Sequence, residues 1–168
     1  MYLDFHNEKR SDHEVLDLRF SQDLADDAQA YAEEMQSAYD ASGKDRDNLS
    51  LYFRHSDVST RSGQGENLGY NEFIPADDTQ IRTTTFIAEA WYNEVEFYDF
   101  DNPGVTMPPG EMVGHFTAMV WRDSCELGCG VTENFVVCRY SPPGNFLTAG
   151  GTYDLFLENV CPIGERCY

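Results

Sequence analysis

Leu127-Gly128-Cys129-Gly130-Val131 and Phe135-Val136-Val137-Cys138-Arg139-Tyr140 are two apolar, β-prone runs with Glu133-Asn134 between them. A two-residue loop at 133 and 134 sets Cys129 directly opposite Cys138. Opposed residues of an antiparallel pair hold their Cα atoms about 4.5–5.5 Å apart, within reach of a disulfide. We therefore expect a Cys129–Cys138 bridge. Both runs are apolar on both faces, so the sheet needs cover on both sides. That cover lies upstream. Leu24, Ala28, Tyr31, Met35 and Ala38 recur at helical spacing, Ser21 stands where an N-cap is needed, and Asp23, Asp26 and Asp27 sit near the positive end of the dipole. Ala41-Ser42-Gly43 ends that helix. A second helix is predicted over about 83–97, followed by a long Pro/Gly loop over 101–111. Gly63 to Gly69 reads as a Gly-rich turn. Helices before and strands after make an α+β sandwich.

Within the second helix Ile87, Ala90, Trp91, Glu94 and Tyr98 share one face. Glu94 thus interrupts an apolar stripe, which is costly unless the carboxylate is paired, hydrogen-bonded or on a metal. His115 opens the run His-Phe-Thr-Ala-Met-Val-Trp, too apolar for a surface loop. His55 precedes the Gly-rich segment. His6 and His13 lie in a charged stretch and read as surface residues. The short metal motifs His-Glu-x-x-His and Cys-x-x-Cys are absent, so a metal site would have to be assembled from distant residues. Spacing alone does not bring His55 and His115 together. A Gly-x-Ser-x-Gly elbow and a dinucleotide-binding glycine pattern are also missing.

The chain has 168 residues, 41% of them hydrophobic and 14% aromatic, which suits one folded domain rather than a disordered chain. No apolar run approaches the roughly 20 residues of a membrane span. Eleven Lys and Arg stand against 30 Asp and Glu, a net charge of -19, which argues against nucleic acid and anionic membrane surfaces as partners. Five cysteines, at 125, 129, 138, 161 and 167, allow at most two internal bridges. Their clustering suggests an oxidising compartment. Met1-Tyr2-Leu3-Asp4-Phe5 lacks the features of a secretory leader, so we read the chain as the mature form of a secreted protein with an added initiator Met. Asn48-Leu49-Ser50 is a glycosylation acceptor triplet, consistent with export.

Gly114-His115-Phe116-Thr117-Ala118-Met119-Val120-Trp121, continuing to Leu127-Gly128-Cys129-Gly130, and then Phe135-Val136-Val137-Cys138-Arg139-Tyr140-Ser141-Pro142-Pro143-Gly144-Asn145-Phe146, are long specific motifs. They resemble the two signatures of the CAP superfamily of cysteine-rich secretory, antigen-five and pathogenesis-related proteins. Ordered pieces extend the resemblance over residues 3 to 162: His6-Asn7 with Arg10, Leu24-Ala25-x-x-Ala28-x-x-Tyr31-Ala32, His55-Ser56, Gly65-Glu66-Asn67-Leu68, Trp91-x-x-Glu94-Val95-x-x-Tyr98 and Glu158-Asn159-Val160. The resemblance implies an α/β/α sandwich with a small antiparallel sheet between helical layers. Residues 1–160 would form the CAP domain, with 161–168 a short cysteine-containing extension. It also implies a central cleft with a tetrad of His55, Glu66, Glu94 and His115, able to hold a divalent metal, zinc foremost. Ala118 replaces a usual Gln, Arg139 replaces a usual Asn, and Cys125 has no obvious counterpart.

By the same resemblance, the protein is expected to be a secreted binding module acting in defence, venom or extracellular signalling, with a sterol or fatty acid as ligand. Tyr92, Phe97 and Phe100 fit an aromatic spacing associated with sterol binding, although an amphipathic helix rich in Tyr and Phe shows the same spacing. The following loop, with Val105 and Met107, is the stronger lipid candidate. The alternative is a metal-dependent hydrolase, a protease or esterase with Glu66 or Glu94 as general base. A protein receptor or channel is a third kind of partner. The expected state is a monomer or weak dimer.

Overall fold

The computed structural model describes residues 1–72, 80–104 and 112–167, and of 80–85 only the backbone. Five helices, α1 (Tyr2–Asp12), α2 (Gln22–Ala41), α3 (Gln80–Asn93), α4 (Gly114–Val120) and α5 (Asp154–Asn159), pack around four strands, β1 (Arg19–Phe20), β2 (Gly65–Tyr70), β3 (Glu126–Val131) and β4 (Phe135–Ser141). The sheet order is β1-β3-β4-β2. The β3–β4 hairpin has the expected register, Cys129 opposite Cys138, and the two cysteines are bridged. Ser21 caps α2, its side chain accepting from the Leu24 N–H.

β4 is buried from Phe135 to Tyr140. Phe135 and Val137 join Ala28, Ala32, Met35 and Tyr39 under α2. Val136, Cys138 and Tyr140 join Ile87, Trp91, Phe116 and Met119 on the opposite face. The two-residue period of a strand delivers alternate side chains to the two helical layers. α2 lies flush on β3: a Cβ on Gly128 would meet the backbone of Leu24 and Ala25, and one on Gly130 the backbone of Ala28 and Gln29.

Several expectations need correction. Of the Gly-rich segment only Gly63 stands in a turn, with a φ of 74°; Gly65–Tyr70 is strand β2, paired antiparallel with β4. Its glycines serve packing, since Gly69 lies against Ile87 and Trp91 where a Cβ would collide. The sheet is mixed rather than antiparallel, because β1 pairs parallel with β3. The second helix ends at Asn93 and continues as a 3-10 turn, Glu94–Phe97, and Ala90 is exposed. His6 and His13 are not surface residues; both are fully buried.

Arg10 is also fully buried. Its guanidinium donates to the carbonyls of Leu16, Met119, Trp121 and Ser124, tying α1 to the end of α4. At the C-terminus Cys161 is bridged to Cys167, leaving Cys125 free and exposed. This small loop folds back on the end of α1, where the Gly164 N–H donates to the Asp12 carbonyl (2.8 Å) and Arg166 pairs with Glu14 (3.1 Å). The His13 Nδ1–H donates to the Cys161 carbonyl at 2.5 Å.

The α2–β3 contact makes a sharp stability prediction. Gly130→Ala should destabilise the protein by about 3 kcal/mol, because α2 must lift to admit one methyl group. Urea unfolding should show the loss as a lower midpoint, whereas the same substitution at the open position Gly150 should cost far less.

Candidate functional site

Two His–Glu pairs stand at one cleft, which His55, Glu66 and His115 line while Glu94 lies behind His115. β2 begins at Gly65 and places Glu66 at its second residue, facing the loop that carries His55. His55 Nδ1 lies 2.7 Å from Glu66 Oε1, and Ser56 donates its backbone N–H to Oε1 (3.0 Å) and its hydroxyl to Oε2 (2.9 Å). Arg139, opposite Glu66 in the β2–β4 register, lies 3.0 Å from Oε2, and Arg61 Nε lies 3.9 Å from Oε1. Burial alone would raise the Glu66 carboxyl. The His55 hydrogen bond, the Arg139 charge and the two Ser56 donors outweigh it and hold the group below the usual carboxylate range.

The second pair is built at a helix terminus. Glu94 stands in the 3-10 turn after α3, and its Oε2 accepts the backbone N–H groups of His115 (2.9 Å) and Phe116 (3.1 Å). These are first-turn donors of α4 that have no intrahelical partner. Glu94 Oε1 lies 2.6 Å from His115 Nδ1. The carboxylate that interrupts the apolar stripe is thus the cap of α4, and it complements the positive end of that helix. Trp91 stacks on the His115 ring, centroids 5.8 Å apart and planes 15° apart.

A buried relay backs this wall. Asn67 Nδ2 donates to the His115 carbonyl and to the Tyr140 hydroxyl, each at 3.0 Å, and Tyr140 donates to His6 Nε2 at 2.8 Å. The His6 Nδ1–H reaches the Tyr2 carbonyl at 2.8 Å, which makes His6 the neutral Nδ1–H tautomer. Burial, opposed by that backbone bond, pushes His6 down to about 4.

The cleft has a volume of about 400 Å³. His55, Glu66 and His115 line one part of it, and Tyr98, Tyr153 and Phe156 an aromatic part. The Tyr98 hydroxyl is buried with no hydrogen-bond partner among the described residues. Asn145 also lines the cleft, accepting from Thr117 (2.7 Å) and donating to the Gly114 carbonyl (2.8 Å). Its φ of 61° is a backbone state that Asn tolerates well.

All four tetrad residues therefore come together as two pairs. Each carboxylate occupies Nδ1 and leaves Nε2 as the nitrogen able to ligate. Among the described residues no three His, Cys, Asp or Glu side chains converge to hold a metal, so any ion here would rest on two imidazole nitrogens. The lipid candidates lie elsewhere. Tyr92 bonds His13 (3.1 Å), Phe100 packs on Tyr98 (4.9 Å) and Phe116, and Phe97 is partly exposed; none of the three lines the cleft. Val105 and Met107 lie outside the described residues. Asn48 is exposed, with its side chain bonded to Asp45. Sequence reasoning gave no site role to Asn67, Asn145 or Tyr98, because a polar residue inside an apolar run looks the same whether it faces a cleft or closes a core bond.

Residues 3–140 match the CAP family, described as the cysteine-rich secretory protein family. The chain is a member of this family. It is 34% identical to human Golgi-associated plant pathogenesis-related protein 1, covering 95% of this chain and 90% of that one. Pathogenesis-related protein 1A of Nicotiana tabacum is 32% identical over 86% of this chain and 75% of its own. The fold is also that of the crystal structure of NaASP2 with Zn2+, at a TM-score of 0.65 and 22% identity over 99% of this chain and 85% of that one. This CAP domain is thus of the pathogenesis-related and cysteine-rich secretory kind.

The buried relay predicts how stability responds to acid. The folded pKa of His6 lies below the unfolded value near 6.5, so the unfolded chain takes up the proton first. Stability is complete above about pH 6.5 and falls as the pH drops toward 4, by about 3 kcal/mol from this residue. Unfolding titrations of wild type and His6→Gln should differ by that slope: the variant is less stable at pH 7 and flatter between pH 7 and 4.

Proposed function

We propose that this CAP domain is an exported, non-enzymatic binding module whose cleft holds a divalent transition ion, zinc first, on Nε2 of His55 and His115. The observation that carries the reading is the occupation of both Nδ1 atoms by carboxylates. A ligating imidazole is commonly oriented in this way, its second nitrogen donating to a carboxylate that fixes the tautomer and raises basicity. Zinc favours imidazole ligands, and a two-histidine site leaves positions for water or a ligand's anionic group. The relative NaASP2 was crystallised with Zn2+ in the same fold, which agrees with this reading. When bound, the ion would supply a Lewis acid at the polar end of the cleft. Export is supported by the two disulfides, which persist in oxidising compartments.

The aromatic part of the cleft suits a small hydrophobic ligand, a sterol or fatty acid. A volume of about 400 Å³ falls in the range that accepts such molecules. Tyr98 adds chemistry to this wall, since a buried hydroxyl without a partner is costly and a ligand oxygen would satisfy it. A hydrolase would need Glu66 or Glu94 as a base with a free lone pair. Glu66 already has five hydrogen bonds or ionic contacts, and Glu94 has three. Both carboxylates are better suited to positioning imidazoles than to taking protons.

Zinc titration by calorimetry should show one ion per chain in the wild type. His115→Ala should lower the affinity at least about 100-fold, and Glu94→Gln about 10–100-fold by loosening the imidazole. Wild-type protein that takes up no zinc would overturn the reading. Tyr98→Phe should stabilise the ligand-free protein by about 1 kcal/mol, since it removes an unpaired buried hydroxyl. In the same variant, binding of a ligand with an oxygen at its apolar end should weaken; unchanged binding would remove Tyr98 from the site.

A further inference from the structure

The two carboxylates of the cleft are held differently, and the difference bears on which ions can enter. Glu94 accepts backbone N–H groups and meets no lysine or arginine among the described residues. Glu66 faces a cation. Arg139 is 4% exposed and its guanidinium meets a carboxylate side chain that is fully buried. Arg139 is itself fixed by Gln64 Oε1 at 3.4 Å and by the Tyr31 ring, 5.6 Å from its central carbon. We propose that Arg139 is a positioning residue that closes Glu66 to metal ions and so makes the cleft selective for imidazole-seeking ions over calcium and magnesium. This inference rests on the zinc reading of the cleft.

A carboxylate has about four lone-pair positions. Glu66 uses them on His55 Nδ1, the Ser56 N–H, the Ser56 hydroxyl and Arg139. It therefore presents no oxygen to an ion without losing one of these bonds. Arg139 also opposes its charge, so with neutral histidines the net charge of the His55–Glu66–Arg139–Glu94–His115 group is -1 rather than -2, and Arg61, farther off at 3.9 Å from Oε1, adds a second positive charge. Calcium takes six to eight oxygen ligands and magnesium a near-ideal oxygen octahedron, and both draw affinity from carboxylate charge. Zinc and its neighbours accept nitrogen and tolerate few ligands. In a protein of net charge -19, a cleft with an open glutamate would attract calcium; Arg139 removes that option at Glu66, and Glu94 does not line the cleft.

Co2+ is the probe, because its visible absorption shifts from that of the aquated ion when imidazole replaces water. In the wild type, Co2+ should bind with a histidine-type spectrum and resist displacement by millimolar Ca2+. In Arg139→Gln, Ca2+ should displace Co2+ at a concentration at least about tenfold lower, since one charge and one donor to Oε2 are gone. In the metal-free proteins, direct Ca2+ titration should show tighter binding in Arg139→Gln than in wild type, and adding Glu66→Gln should remove that gain whatever it does to Co2+, which identifies Glu66 as the oxygen released. Should Arg139→Gln fail to fold, Ser56→Ala removes another Oε2 donor without leaving a buried charge unpaired, and its Ca2+ competition should also strengthen. Unchanged Ca2+ competition in a folded Arg139→Gln, or in Ser56→Ala where that variant decides, would overturn this inference and leave the zinc reading standing. Wild-type protein that binds neither Co2+ nor Zn2+ would overturn the zinc reading and this inference with it.

Discussion

A helix of seven residues does not hold itself in water, because the cost of nucleation exceeds what so few hydrogen bonds return. α4 is that short, and it carries His115. It is held by buried charges at both ends. Glu94 accepts the N–H groups of His115 and Phe116 at the start, and the Arg10 guanidinium donates to the Met119 and Trp121 carbonyls at the finish. Each charge has the sign that the helix dipole favours at its end. Because Glu94 belongs to the turn after α3 and Arg10 to α1, this double cap also locks three helices into one layer over the sheet. The position of the cleft histidine follows from that arrangement.

The other half of the cleft depends on a pairing distant in sequence. β2 and β4 lie about seventy residues apart, yet their register sets Glu66 beside Arg139 and Asn67 beside Cys138. One strand thus serves both layers. Glu66 turns to the loop carrying His55, while Asn67 on the opposite face reaches the His115 carbonyl and Tyr140. Shifting β2 by one residue would exchange these faces and separate the two His–Glu pairs. Register here serves the site as much as the core.

Local chemistry made some of this legible and hid the rest. The β3–β4 hairpin could be read because a two-residue loop leaves one register, and the two cysteines confirm it. α2 could be read because an N-cap serine and a five-residue apolar stripe agree. Glu94 stood out because a carboxylate is conspicuous on an apolar face. β2 was hidden, since two glycines in six residues mimic a turn and its partner strand is far away. His6, His13 and Arg10 were hidden for a related reason. Their neighbours in sequence are charged, but their hydrogen bonds go to Tyr140, Cys161 and the end of α4, none of which the local sequence reveals. The tetrad itself came from family motifs rather than spacing, which does not indicate that residues sixty apart will meet.

The two arms of the cleft differ in how many contacts hold their rings as well as in charge. His115 is fixed by its helix, by Trp91 and by Glu94, and its side chain is 17% exposed; that of His55 is 56% exposed and comes from a loop. Only one hydrogen bond, to Glu66, orients the His55 ring among the contacts described. Glu66 is consequently the fixed point of the softer arm, and its own rigidity comes from Ser56 and Arg139. One imidazole is thus held on two sides and the other on one, so loss of the partner carboxylate would tell first on the His55 ring.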